Sequence, residues 1–184
     1  MTLEERKYPG ELASAQQVHT LAEEYRRAAC HLLQLGRPGK PLSRAPFRMA
    51  AIHAIELYLT ALLLHFGLNP NQIRRMQHDL SARTEHALES GLRLRAKTAK
   101  HLQSLSQNRE YLVTRYCPEL AATASQLNRL TATLEEVATK VTVLITLPPR
   151  RPKQAHSAID ELEGQYPATL LQEPKPKDTT SARQ

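Results

Sequence analysis

SRAPFRMAAIHAIELYLTALLLHFGLN, residues 43–69, decides the fold. Ile52, Ile55, Leu59, Leu62, Leu63 and Phe66 recur at three- and four-residue steps, the spacing of one helix face. Ala50, Ala54, Leu57, Ala61 and Leu64 form a second apolar stripe beside it. A helix apolar on two faces belongs at the centre of a bundle. Ser43 stands where a cap would, and Pro46 falls in the first turn, where proline is tolerated. The remaining polar strip is His53, Glu56 and Thr60, one helical turn apart. Such a strip is either the floor of a groove or a set of buried groups with partners.

Working outward towards the N-terminus, Gly36 to Gly39 separates this helix from another amphipathic one, Glu11–Leu35. Val18, Leu21, Ala22, Tyr25, Ala28, Ala29 and Leu32 share its inner face, with Glu23, Glu24, Arg26 and Arg27 opposite. In the other direction, Gly67 and Asn69-Pro70 end the central helix. A short helical segment around Ile73–Met76 follows, then a helix over Ser81–Ser90 capped by Asp79 or Ser81. Leu92–Gln107 is basic, with Arg93, Arg95, Lys97, Lys100 and His101 set among leucines. Asn108–Tyr116 reads as helix or extended turn. Pro118 suits a first helical position, and Leu120, Ala124, Leu127, Thr131, Leu134, Ala138, Val141 and Ile145 repeat as a near-heptad seam to Leu147. The domain division is therefore a frayed start at 1–10, a helical bundle over 11–147, and a flexible tail rich in proline and charge over 148–184.

Trp is absent and aromatics are few, so leucine and alanine must build the core, which favours an all-α fold. The formal net charge of +7 points to an acidic partner, with nucleic acid the commonest. Cys30 and Cys117 form no CxxC pair, and both sit in helical contexts as buried or partly buried thiols, in keeping with a reducing compartment. MTLEERKYPG is charged rather than apolar and is no signal peptide. The longest apolar run, Ala61–Leu64, is far too short to span a bilayer. A soluble, cytoplasmic protein with no membrane partner is expected.

Motif by motif, most chemistries drop out. His53, His65, His78, His86 and His101 have no metal-site spacing, and HExxH is absent, so no metal is expected. P-loop, GxGxxG and GxSxG patterns are missing as well, and no cofactor is expected. The stretch Arg109–Tyr116, REYLVTRY, is different, because two arginines and two tyrosines are packed into eight residues after a basic segment. Two readings stay open. Arg109 and Arg115 can grip phosphates while Tyr111 and Tyr116 stack on bases. Alternatively, one of the arginines neutralises a buried Glu56, with the tyrosines as core edges.

The central HAIELYLTALLLHFG (53–67), HDL (78–80) and REYLVTRY (109–116) together resemble the HEPN family, the higher eukaryote and prokaryote nucleotide-binding helical domains. The resemblance spans roughly 12–147 and is specific only in these three motifs. It implies a four- to five-helix bundle, a homodimer, and a place in bacterial stress, defence or toxin–antitoxin systems. Many members are metal-independent ribonucleases whose motif is Arg, four to six residues, then His, with a Tyr two residues later in the toxin branch. Arg109 matches the arginine and Tyr116 the tyrosine, which in some toxins is modified by a partner nucleotidyltransferase. Thr114 stands where the histidine belongs. Threonine cannot exchange a proton near neutral pH, so the resemblance implies a divergent member without the usual catalysis. His78 and Asp79 are expected to act as a structural cap.

The sequence thus points to a non-catalytic bundle that binds RNA or a nucleotide at Arg109, Tyr111, Arg115 and Tyr116. Arg93, Arg95, Lys97 and Lys100 would extend the groove across a dimer, beside the strip of His53, Glu56 and Thr60. The alternatives are a regulatory protein-interaction module paired with a nucleotidyltransferase, and a ribonuclease in which a displaced histidine replaces Thr114.

Overall fold

The computed structural model describes residues 12–147, and the expectations for 1–10 and 148–184 lie outside them. Among the described residues the chain is all helix and turn, without a strand. In order these are α1 (Ala15–Gln34), a 3-10 turn (Pro41–Arg44), α2 (Ala45–His65), α3 (Pro70–Arg75), α4 (Leu80–Glu89), α5 (Ala96–Gln107), α6 (Glu110–Tyr116), a second 3-10 turn (Pro118–Thr123) and α7 (Leu127–Thr146).

Local chemistry sets the starts and stops. Ser14 and Gln17 form a capping box, so α1 begins at Ala15 rather than Glu11. Asn69 and Gln72 do the same for α3, and Asp79 caps α4 by accepting from the Ser81 and Ala82 amides. Gly67, at φ +85°, ends α2 in the left-handed region, and the Leu68 amide reaches back 2.9 Å to the Leu63 carbonyl. Ser43 does not cap α2. Its hydroxyl closes the preceding turn, accepting from the Arg37 amide and donating to the Lys40 carbonyl.

The central position of α2 is as expected. Ile52, Ile55, Leu59, Leu62 and Leu63 are buried, with Phe47 and Tyr58 from the same helix. Helix α1 lies antiparallel to α2, since Arg44 donates to the Leu33 carbonyl, Tyr25 meets His53, and His19 meets Tyr58. Helix α7 runs antiparallel to α1 through Arg26–Glu135 and His19–Thr142, and α5 runs antiparallel to α7 through Thr98–Glu136 and His101–Thr133.

Three expectations need correction. The inner face of α1 is rotated: Leu21 and Ala28 are exposed, while His19 turns in against Tyr58 and hydrogen-bonds Thr142. The seam of the last helix starts late, because Leu120 lies exposed in the second 3-10 turn. Helix α7 buries Leu134, Ala138 and Val141 as expected, joined by Leu130 and Val137. Cys30 is exposed on the outer face of α1 beside Arg27 and His31, whereas Cys117 is half-buried. Pro41–His65 is, among the described residues, the one helical stretch long and apolar enough to cross a bilayer. Of its most apolar window 67% is buried inside the bundle, the position of a core helix.

Candidate functional site

The polar strip of α2 does not face α6 alone. Arg83, on α4, is buried and donates to the Thr60 hydroxyl at 3.0 Å, to a Glu56 carboxylate oxygen at 3.3 Å, and to the Gln77 carbonyl. The other Glu56 oxygen lies 3.1 Å from His78 Nδ1. The expected pairing of Glu56 with Arg109 or Arg115 is therefore wrong: α4 packs on this turn of α2 and supplies the cation. His78 and Asp79 part company as well. Asp79 is the cap, while His78 is a ring braced by Glu56 and tilted against Tyr111 with centroids 5.1 Å apart.

Backbone strain brackets this region. Among the described residues, Gln77 (φ +46°) and Arg109 (φ +47°) are the non-glycine residues in the left-handed region, each at a cost on the order of 1 kcal/mol or more. Both line one polar cavity of about 170 Å³, together with His78, Asp79, Ser106 and Tyr111. Asp79 closes its floor, taking the Ser106 hydroxyl at 2.6 Å and two α4 amides. The Ser106 bond leads in holding this carboxyl below its ordinary range, with the two amides and nearby Arg83 adding to it.

What holds Arg109 in its unusual backbone is the residue after it. Glu110 is buried, receives Arg48 at 2.6 Å, and accepts from the Ser125 amide at 2.9 Å and the Ser125 hydroxyl at 3.1 Å. Arg48 also donates to the Ser125 carbonyl. The start of α6 is thereby tied to both α2 and the chain entering α7. Arg109 is left as the backbone cap of α6, its side chain with no hydrogen bond or ion pair to the described residues. Arg115 is likewise unpartnered among them.

The four residues expected to share one groove are split between two cavities. Arg109 and Tyr111 line the polar one. Arg115 and Tyr116 line a second, largely apolar cavity of about 170 Å³ with Leu42, Ala45 and Val113, lying over Arg48. Tyr116 is 71% exposed. Thr114 sits between the tyrosines, its hydroxyl within 3.0 Å of the Glu110 carbonyl and 3.2 Å of the Tyr111 carbonyl, so it is spent on its own helix. His53 stands near Arg115 with its ring edge-on to Tyr25 at 4.4 Å and its Nδ1 buried without a partner. Burial, opposed by Glu56 and reinforced by Arg115 and His78, keeps this ring neutral further into acid than a free histidine.

Lys97 and Lys100 are exposed on α5 and, with Ser104 and Gln107, recur at helical steps leading to Arg109. Arg93 and Arg95, also exposed, lie before α5, whose 12 residues separate them from Arg109 by roughly 18 Å. Their backbones are engaged instead. The Arg95 amide binds Glu136, and the Arg93 carbonyl receives Lys140. Hydrogen bonds from Lys140, Thr98 and the Arg95 amide outweigh burial and hold the Glu136 carboxyl down at about 2.

Sequence reasoning passed over Arg48, Arg83 and Glu110. The signal was there: Arg48 shares a helix face with Ile52 and Ile55, and Arg83 with Leu80 and Ala87. A charge on an apolar face predicts a buried partner. Comparison with protein-family models, curated proteins and solved structures found no match, so the site is read from its own geometry.

Proposed function

We propose that the chain is a non-catalytic helical domain of HEPN type that binds single-stranded RNA or a nucleotide, acts as a homodimer, and serves a bacterial stress, defence or toxin–antitoxin system. One observation carries the reading: Arg109, the cap of α6, has no ion-pair partner among the described residues and lines one cavity with Tyr111. A guanidinium not spent on the fold is available to a phosphate, and the tyrosine beside it offers a face to a base. Lys97 and Lys100 add charge along the approach. Thr114, already bonded to its own helix, has no part in proton transfer.

The test is a titration of labelled single-stranded RNA in EDTA, read for binding and for strand length. Arg109→Ala is expected to weaken binding and to lower the slope of log affinity against log salt by about one. Retained slope and affinity would reject Arg109 as a phosphate contact. RNA shortened by the wild-type chain would overturn the non-catalytic reading in favour of a displaced histidine. A second reading draws on the apolar cavity beside exposed Tyr116: such a surface suits a protein partner, a nucleotidyltransferase among them. Absence of RNA binding, with complex formation lost in Tyr116→Ala, would select it.

A further inference from the structure

We infer that His78 distinguishes RNA from DNA at this site by accepting a hydrogen bond from a ribose 2′-hydroxyl. The inference rests on the RNA-binding reading above and gives it a sugar specificity. Its basis is the asymmetry of the two ring nitrogens. Nδ1 lies 3.1 Å from a Glu56 carboxylate oxygen, which can only accept, so Nδ1 carries the proton. In the neutral ring Nε2 is then an acceptor, and it has no partner among the described residues. The ring is 44% exposed at its side chain and lines the polar cavity.

Its orientation is fixed from three sides. Arg83, nine-tenths buried, clamps the other Glu56 oxygen and the Gln77 carbonyl next to the histidine. Tyr111 tilts against the ring at 5.1 Å. Gln77 holds the left-handed backbone that turns His78 towards α2. Nε2 is therefore open to a ligand donor, while Nδ1 and the ring face serve the bundle.

The cavity also sorts the parts of a nucleotide. Of its lining residues, the Asp79 carboxylate repels a phosphate, whereas the Arg109 guanidinium attracts one. Because Arg109 and His78 line the same cavity, a phosphate held at Arg109 brings its sugar into the space that His78 lines. Deoxyribose offers no donor there, and the 2′-hydroxyl is what separates RNA from DNA at a single site. A neutral hydrogen bond of this kind corresponds to about a three- to tenfold preference.

The experiment compares three labelled single strands of identical bases by fluorescence anisotropy: ribose, deoxyribose and 2′-O-methyl. Wild-type protein is expected to favour the ribose strand about three- to tenfold over both others, since methylation removes the donor and keeps the oxygen. His78→Phe, which retains a ring against Tyr111, should bring the ribose-to-deoxyribose ratio to about one, and His78→Leu, which has no acceptor, tests the same loss without an aromatic. Arg109→Ala should weaken all strands together and keep the ratio. Equal wild-type affinity for ribose and deoxyribose strands, or an unchanged ratio in both His78 variants, overturns the inference alone. Binding of no strand by the wild type, at low salt, overturns it together with the reading beneath it. Shortening of the ribose strand that disappears in His78→Phe also overturns it, by making the ring a proton acceptor in cleavage.

Discussion

Two ion pairs are built on α2, and they are finished differently. At its start, Arg48 and Glu110 are closed in: one carboxylate oxygen takes Arg48 and the Ser125 hydroxyl, and the other takes the Ser125 amide. Two turns on, Glu56 and Arg83 are left open on one side. Arg83 Nε is buried without a partner, and His78 carries the network out to the polar cavity. The closed network commits both Glu110 oxygens and both Arg48 amino groups within the bundle, so its work is to place Arg109 and α6. An open one holds unspent capacity at a surface, which suits recognition. The comparison separates the residues that make the site from those that use it.

The largest expected effect comes from opening the closed pair. Glu110→Ala strands a buried guanidinium and should cost about 3–5 kcal/mol, seen as a lowered urea midpoint and melting temperature. Combining Arg48→Met with Glu110→Leu should recover most of that loss, because apolar groups of similar volume tolerate the space. A Glu110→Ala protein as stable as wild type would show that the network is not closed. Next comes Glu56→Ala. Arg83 keeps the Thr60 hydroxyl and the Gln77 carbonyl, and His78 is partly solvated, so the loss should be smaller, about 2–3 kcal/mol. Equal losses in the two variants would erase the distinction.

The sequence made the scaffold far easier to read than the site. Periodicity put α2 at the centre because leucine and isoleucine recur at helical spacing regardless of partners. It narrowed the cap of α4 to Asp79 or Ser81 for the same reason, since a cap is a local bond, and Asp79 is the one that caps. Which cation meets Glu56 depends on how α4 lies across α2, and no local spacing encodes that. Arg109 and Arg115 were nearer in pattern, yet Arg83 was nearer in space. The division of REYLVTRY between two cavities was equally hidden, because it follows from a left-handed residue at Arg109 that an arginine rarely adopts. Cys30 shows the opposite failure: cysteine is a residue type that is often buried, yet the rotation of α1 turns this one outward.

The smallest expected effect tests the same contrast with protons. Each network has a histidine beside it: His101, buried near Glu110 and Arg48, and half-buried His53 near Glu56 and Arg115. Burial first, then neighbouring cations, lowers both rings from an ordinary 6.5. The unfolded chain therefore binds more protons than the folded one as acid is added. Their contribution is fully present above pH 6.5 and is lost as pH falls from there through the lower folded values. Urea midpoints measured from pH 7.5 down to 5 should decline, and His101→Phe should flatten the decline more than His53→Phe. The reason is the partner set: His101 Nδ1 is bonded to Thr133 at 2.8 Å and its Nε2 is sealed from solvent. A proton on that ring can be accommodated only by opening α5 from α7. His53 is only half-buried, so a proton on it is accommodated with less disruption and its removal should change the slope less. A larger flattening from His53→Phe would mean that the open side of the bundle is the more rigid, and the division between the two networks would have to be reversed.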